Sequence, residues 1–191
     1  MVIGMALTAP EPPLADEVVA LRPWRADDAP AVAAAIDGDP EIAAWLDEVP
    51  QPYGLDDAHE YIAACTRGWA EGAGAFFAVV DPADGTLLGS LGLRLAGLPQ
   101  GVAEVGYWIA REARGRGVAS HAVRLAARWI LGEVGIERLQ LRADTLNVSS
   151  QRVAEKAGFT REGVLRSMHY NPRQGRRVDF VLFSLLPGEL P

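Results

Sequence analysis

The stretch from Glu104 to Leu131, EVGYWIAREARGRGVASHAVRLAARWIL, constrains this chain's fold more than any other part. It reads as a strand entering an Arg- and Gly-rich turn that opens directly into a long apolar helix. Gly115 and Gly117 let the backbone of that turn approach a ligand closely and take positive φ. The first turn of the helix then offers N–H groups without intrahelical partners at the positive end of its dipole. That is a site for an anion, such as a phosphate or pyrophosphate. From Val118 to Leu131 the polar residues Ser120, His121, Arg124 and Arg128 share one arc. The other faces are apolar, so the helix is expected to be buried and its N-terminus held rigidly. An ordinary strand-to-helix turn with surface arginines is the alternative these residues alone leave open.

Three ordered segments carry a family resemblance. Arg114-Gly115-Arg116-Gly117-Val118-Ala119 matches a Gln/Arg-x-x-Gly-x-Gly/Ala pattern. The strand AEVGYWIA precedes it, and Asn147-x-x-Ser150, Glu155-Lys156 and Gly158-Phe159 follow. Together they resemble the GCN5-related N-acetyltransferases (GNAT), in particular the RimJ/RimL-like branch, over residues 17 to 187. The resemblance implies an α/β (α+β) fold: a mixed, mostly antiparallel sheet flanked by helices. It also implies that acetyl-CoA is the cosubstrate and a primary amine, on a protein N-terminus or a small molecule, the acceptor. Homodimers are common in the branch.

The same resemblance assigns site roles. The turn Arg114, Gly115, Arg116, Gly117, Val118 and Ala119 is expected at the pyrophosphate, and the backbone of Tyr107, Trp108 and Ile109 beside the pantetheine arm. Asn147 and Ser150 are expected at the pantetheine and the reacting sulfur, although both residue types also cap helices routinely. Glu104 is the expected general base, directly or through an ordered water. Strand alternation puts it on one face with Gly106 and Trp108, and Val105, Tyr107 and Ile109 on the other. Many family members carry a tyrosine acid four residues before the Gly-Phe pair. Here that position is Ala154, which turns attention to Ser150 or a water as proton donor.

The chemistry sets the demand. A lysine-like ammonium, pKa near 10.4, costs about 4–5 kcal/mol to deprotonate at pH 7, so a proton acceptor is needed. A thiolate leaves more readily than an alkoxide, which makes acid assistance less critical. Backbone N–H groups of the strand could polarise the thioester carbonyl.

Charge and composition narrow the alternatives. A formal net charge of −7 argues against nucleic acid as the principal partner. No apolar run is long enough to span a bilayer, and the opening MVIGMALTAPEPPLAD lacks the pattern of a signal peptide, so a cytoplasmic location is expected. Cys65, the one cysteine, excludes an intrachain disulfide and is expected as core filler. His59, His121 and His169 lack metal-ligand spacing, so no metal is expected. Between Ala26 and Thr66 there is no Lys or Arg but there are ten carboxylates, Glu48 among them. They are either solvated helix faces or an acidic wall that draws in a cationic amine. Arg166, Arg173, Arg176 and Arg177 make the last hairpin basic, as solvated surface or near an acceptor mouth.

Residues 1–16, rich in proline, are expected as a flexible tail before one domain over 17–191. Strands are expected over Val18–Trp24, Ala75–Val80, Thr86–Leu95, Ala103–Ala110, Arg138–Ala143, Gly163–Tyr170 and Arg176–Leu186. Helices are expected from near Asp27, over Pro40–Leu46, Leu55–Trp69 and Val118–Leu131, and over Ser149–Ala157 with Gly158 as the stop. The order is not the strict strand–helix alternation of a doubly wound nucleotide fold. A dinucleotide-binding oxidoreductase is disfavoured further because Ser120 stands where its third glycine would be. An acyl-CoA-binding protein without catalysis, and a transferase of a longer acyl group such as succinyl, are the other readings.

Overall fold

The computed structural model describes residues 7–190 other than 48 and 96. The expected elements appear within a few residues of their expected ends. Eight strands form one mixed sheet: β1 Leu14–Ala15, β2 Ala20–Pro23, β3 Gly74–Val80, β4 Leu87–Arg94, β5 Val102–Ile109, β6 Arg138–Asp144, β7 Thr160–Asn171 and β8 Arg176–Leu185. Their spatial order is β1-β2-β3-β4-β5-β6-β8-β7. Five helices pack on it: α1 Ala29–Asp37, α2 Pro40–Trp45, α3 Leu55–Ala70, α4 Val118–Gly132 and α5 Val148–Lys156.

One pairing decides the architecture. β5 pairs antiparallel with β4 along its length, from Arg94↔Glu104 to Gly89↔Ile109. With β6 on its other side it pairs in parallel over only Val102↔Arg138, Ala103↔Leu139 and Glu104↔Gln140. Beyond Glu104 the two strands diverge. Gly89 allows β4 to follow β5 this closely, because a Cβ there would lie 2.3 Å from the Trp108 carbonyl oxygen.

Alternation along β5 gives each face of the sheet its own core. Val105 and Ile109 join Phe77, Leu91, Leu139, Phe183 and the buried side of α4. Trp108 joins Val32, Ile36, Tyr53, Ile62 and Cys65 beneath α1 and α3. Trp69, Phe77 and Trp129 form an aromatic trio, with Phe77 edge-on to both indoles at 5.3 and 5.7 Å.

The flexible tail is expected over residues 1–16. Residues 1–6 lie outside the described residues, but Leu14–Ala15 pairs with Leu21 and Ala20. Asp16 Oδ2 lies 2.7 Å from His121 Nδ1, and Oδ1 accepts the Val18 and Val19 N–H groups. The chain therefore joins the sheet before residue 17.

Truncating Phe77 to Ala should lower the unfolding free energy by about 3–5 kcal/mol in a denaturant titration, since the side chain is fully buried and its cavity has little room to collapse. Cys65 is buried on α3, and burial pushes its thiol up to about 11. Iodoacetamide at pH 7.5 should therefore leave native protein unmodified over the time in which denatured protein is fully alkylated.

Candidate active site

Where β5 and β6 part, a cavity of about 470 Å³ opens between them. Its walls are Val105–Ile109 of β5, Leu141–Asp144 of β6, the turn and first residues of α4, the start of α5, and α2. Among the described residues no strand pairs with the inner edge of β5 past Glu104, and Val105–Ile109 line the cavity there. An extended, amide-bearing ligand can complete that ladder in the way a peptide adds to a sheet edge.

At the far end of β5 the chain passes through a 3₁₀ turn, Arg111–Ala113, and reaches Gly115 and Gly117 at φ of 75° and 83°. Gly117 is the N-cap of α4 and supplies no side chain to its orphan N–H groups. These groups at Val118, Ala119 and Ser120 can receive an anion through backbone donors reinforced by the helix dipole. A side chain at 117 would be strained and would meet the His121 ring.

Of the residues expected at the site, Tyr107, Trp108, Ile109, Arg114, Gly115, Gly117, Val118, Ala119, Asn147 and Ser150 line this one cavity. Arg116 and Glu104 do not. Arg116 is exposed beside the turn.

Arg114 lines the cavity, but its charge is already used. Its Nε donates to the Ile109 carbonyl at 3.0 Å, Nη1 to Glu41 Oε2 at 2.8 Å, and Nη2 to Asp39. Two carboxylates of α2's first turn neutralise it, so it braces α2 over the cavity instead of offering charge to a phosphate. Lys156 and Arg152, four residues apart on α5, bring cations to the lining that the expected set lacked. Their i, i+4 spacing on a helix already credited with Asn147 and Ser150 was the available signal.

Glu104 is held differently from a poised base. Its Oε1 accepts from Arg94 Nη2 at 2.7 Å and Arg142 Nη2 at 2.6 Å. Its Oε2 accepts from Gln140 Nε2 at 2.9 Å and lies 2.6 Å from Arg142 Nε, an ion pair whose angle falls outside hydrogen-bond geometry. Burial alone would raise this carboxyl's pKa, but the hydrogen bond and charge of Arg142, with Gln140 and Arg94, hold it below the ordinary value. Three hydrogen bonds and the Arg142 ion pair engage both of its oxygens, and it does not line the cavity.

The other face of β5 carries hydroxyls. Tyr107 and Ser150 are 3.0 Å apart, linking β5 to α5. Burial pushes the phenol up to about 12, so it stays protonated at neutral pH. Asn147 caps α5 through Oδ1, accepting the Ser150 N–H at 3.0 Å, while also lining the cavity. Ala154 is fully buried in the core and takes no part in the lining.

Part of the acidic segment is tied into contacts with other elements. Arg22 pairs with Asp28 at 2.7 Å, Arg114 with Asp39 and Glu41, and His169 with Asp47 at 2.7 Å. Asp37 and Asp57 accept backbone N–H groups of Tyr53 and Gly54. Glu48 lies outside the described residues. The basic hairpin contributes to the same bracing: Arg173 donates to the carbonyls of Ala43 and Val49.

A split sheet with a glycine turn and a helix N-terminus at its open end is the framework of an acyl-CoA transferase. Residues 19–160 match the acetyltransferase (GNAT) domain, and the chain belongs to that family. It is 27% identical over 151 residues to the uncharacterized N-acetyltransferase p20 of Bacillus licheniformis, covering 79% of this chain and 83% of that one. It is 35% identical over 106 residues to the Bacillus subtilis (strain 168) protein named "Putative ribosomal N-acetyltransferase YdaF", covering 56% and 57%. The structure of a probable GNAT-family acetyltransferase from Chromobacterium violaceum superposes with a TM-score of 0.79 at 29% identity, covering 96% and 90%. This chain is thus a member of the GNAT N-acetyltransferase family, and its relatives include a protein named as a ribosomal N-acetyltransferase.

Because Glu104's carboxyl is depressed in the folded state, its pairing stabilises the fold above the unfolded-state pKa, ordinarily 4.5, and that contribution is lost as pH falls through the folded value. Glu104→Gln should therefore melt below wild type at pH 7, and the two melting temperatures should converge below pH 4.5. A gap that persists unchanged into acid would show that the ion pairs contribute nothing.

Proposed function

We propose that this protein transfers the acetyl group of acetyl-CoA to a primary amine by direct attack of the amine. The observation that carries this reading is the divergence of β5 from β6 with the Gly115–Gly117 turn at its open end. The fit is chemical. The unpaired β5 edge suits a chain of amides, the α4 N-terminus suits a pyrophosphate, and the cations of Arg152 and Lys156 suit further phosphate. When bound, acetyl-CoA supplies an activated acetyl group as a thioester.

Tyr107–Ile109 hold the pantetheine arm through their backbone, and Asn147 adds a side-chain contact beside it. Gly115, Gly117, Val118 and Ala119 hold the pyrophosphate. Ser150 Oγ, oriented by the Tyr107 hydroxyl, donates a proton to the departing sulfur. Together these two hydroxyls replace the tyrosine missing at Ala154.

With both oxygens engaged by Arg94, Arg142 and Gln140, Glu104 positions Arg142, and a water at the cavity mouth is the immediate base. Such a site favours an amine that is partly neutral already. An α-amino group, pKa about 7.7–8.0, costs about 1 kcal/mol to deprotonate at pH 7 against about 4–5 kcal/mol for a lysine side chain. The acceptor is accordingly an α-amine, on a protein N-terminus or a small molecule.

Calorimetry should give micromolar affinity for acetyl-CoA and none for NADH. Gly117→Glu, which puts a carboxylate and a side chain at the anion site, should weaken binding at least about a hundredfold. Ser150→Ala should keep that affinity and lower kcat about ten- to a hundredfold. Binding without turnover of any amine would establish the non-catalytic reading, and succinyl-CoA outperforming acetyl-CoA would change the acyl group. No binding by folded protein would overturn the proposal.

A further inference from the structure

Two side chains of opposite charge stand two residues apart on β6, and the proposed chemistry leaves both without a role toward substrate. Arg142 and Asp144 both line the cavity. Both lie past the last β5–β6 pair, and their partners on β8, Leu182 and Phe180, show that they share a face of the sheet. It is the face of Glu104 and Trp108, opposite the Tyr107–Ser150 hydroxyls.

Arg142 is fixed in place. One edge of its guanidinium is committed to Glu104, and its Cζ rests 5.9 Å from the centre of the Phe180 ring. Among the described residues nothing pairs with its remaining nitrogen, Nη1, and its side chain is 26% exposed. A guanidinium locked on one edge presents a donor of fixed direction on the other.

Asp144 is 9% exposed. Its Oδ1 accepts the Leu146 N–H at 2.8 Å, and among the described residues Oδ2 has no partner. The two side chains make no ion pair with each other. A strand spaces i and i+2 side chains by roughly 6–7 Å, about the separation of groups that would flank a small zwitterion or its peptide equivalent.

We infer that Arg142 and Asp144 form the acceptor subsite, and that it reads an amine whose α-carbon bears a carbonyl or carboxylate group: an α-amino carboxylate or the first residue of a peptide. Asp144 Oδ2 accepts a hydrogen bond from the amine, and Arg142 Nη1 donates to the neighbouring carbonyl or carboxylate oxygen. Glu104 is a positioning residue that aims Arg142. This deepens the proposed acetyl transfer and rests on it.

The test compares alanyl peptide, alaninamide, free alanine and propylamine as acceptors, with kcat/KM corrected to the concentration of neutral amine. The oxygen-bearing acceptors should exceed propylamine by about tenfold or more, the worth of one charge-assisted hydrogen bond. Preference for alanine alone would mean that a carboxylate is read. Equal use of alaninamide and peptide would mean a carbonyl.

Arg142→Met should erase the advantage while leaving the affinity for acetyl-CoA within about twofold. Because it orphans Glu104, the double variant Glu104→Gln/Arg142→Met provides the same test without a stranded carboxylate. Asp144→Asn should raise KM for every amine with less effect on kcat, since its side-chain oxygen can still accept from Leu146. An advantage over propylamine that survives in the double variant, or that wild type never shows, overturns the subsite. Failure of wild type to acetylate any acceptor despite binding acetyl-CoA overturns the transferase reading itself, and the subsite with it.

Discussion

Everything at the site follows from β5 having one complete neighbour and one partial one. Hydrogen bonding to β4 keeps it straight and rigid from Glu104 to Ile109, while the ladder to β6 stops after three pairs. An unpaired strand edge is costly when buried and a hazard when exposed. Here it is neither, because it faces a cavity wide enough for a ligand that can take the place of the missing strand. The helix that follows is buried along most of its length, so its N-terminus is fixed relative to that edge. Strand edge and anion site are therefore set at a constant distance by the core and not by mobile loops.

Much of this was legible because it is local. Hydrophobic period, glycine positions and capping residues placed β5, α4 and α5 close to their observed bounds, and alternation correctly separated Glu104 and Trp108 from Val105, Tyr107 and Ile109. What was not legible is which charges meet. Arg114 finds Asp39 and Glu41 more than 70 residues earlier in the chain, and His169 finds Asp47 at a separation of 122. A segment without a single Lys or Arg reads as solvated faces or as a negative wall, yet several of its carboxylates meet partners from β2, the glycine turn and β7. Local charge density is a poor guide to local potential when the compensating side chains are supplied by the tertiary fold.

Glu104 shows the same limit within one residue. Its strand and face were predictable. Its chemistry was set by Arg94 from β4 and by Gln140 and Arg142 from β6, all three approaching from neighbouring strands. A carboxylate in that setting is an anchor. It fixes the direction of Arg142, and its depressed pKa measures how firmly the pair is held rather than any readiness to accept a proton.

The vacant tyrosine position makes the complementary point. At 154 the side chain faces a fully buried core in which alanine fits without a polar group to satisfy. The hydroxyl has instead a counterpart on the strand, where Tyr107 reaches across to Ser150. A phenol on β5 is carried by the strand proposed to hold the pantetheine, so its position depends on the β4–β5 ladder rather than on the packing of a short helix. In the proposed transfer that ladder orients the donor through Tyr107, and α5 supplies the donor hydroxyl of Ser150, a capped N-terminus and two cations. In the proposed function the divergent strand pair thus holds the ligand, orients the donor and, through β6, presents the opposite charges on its other face.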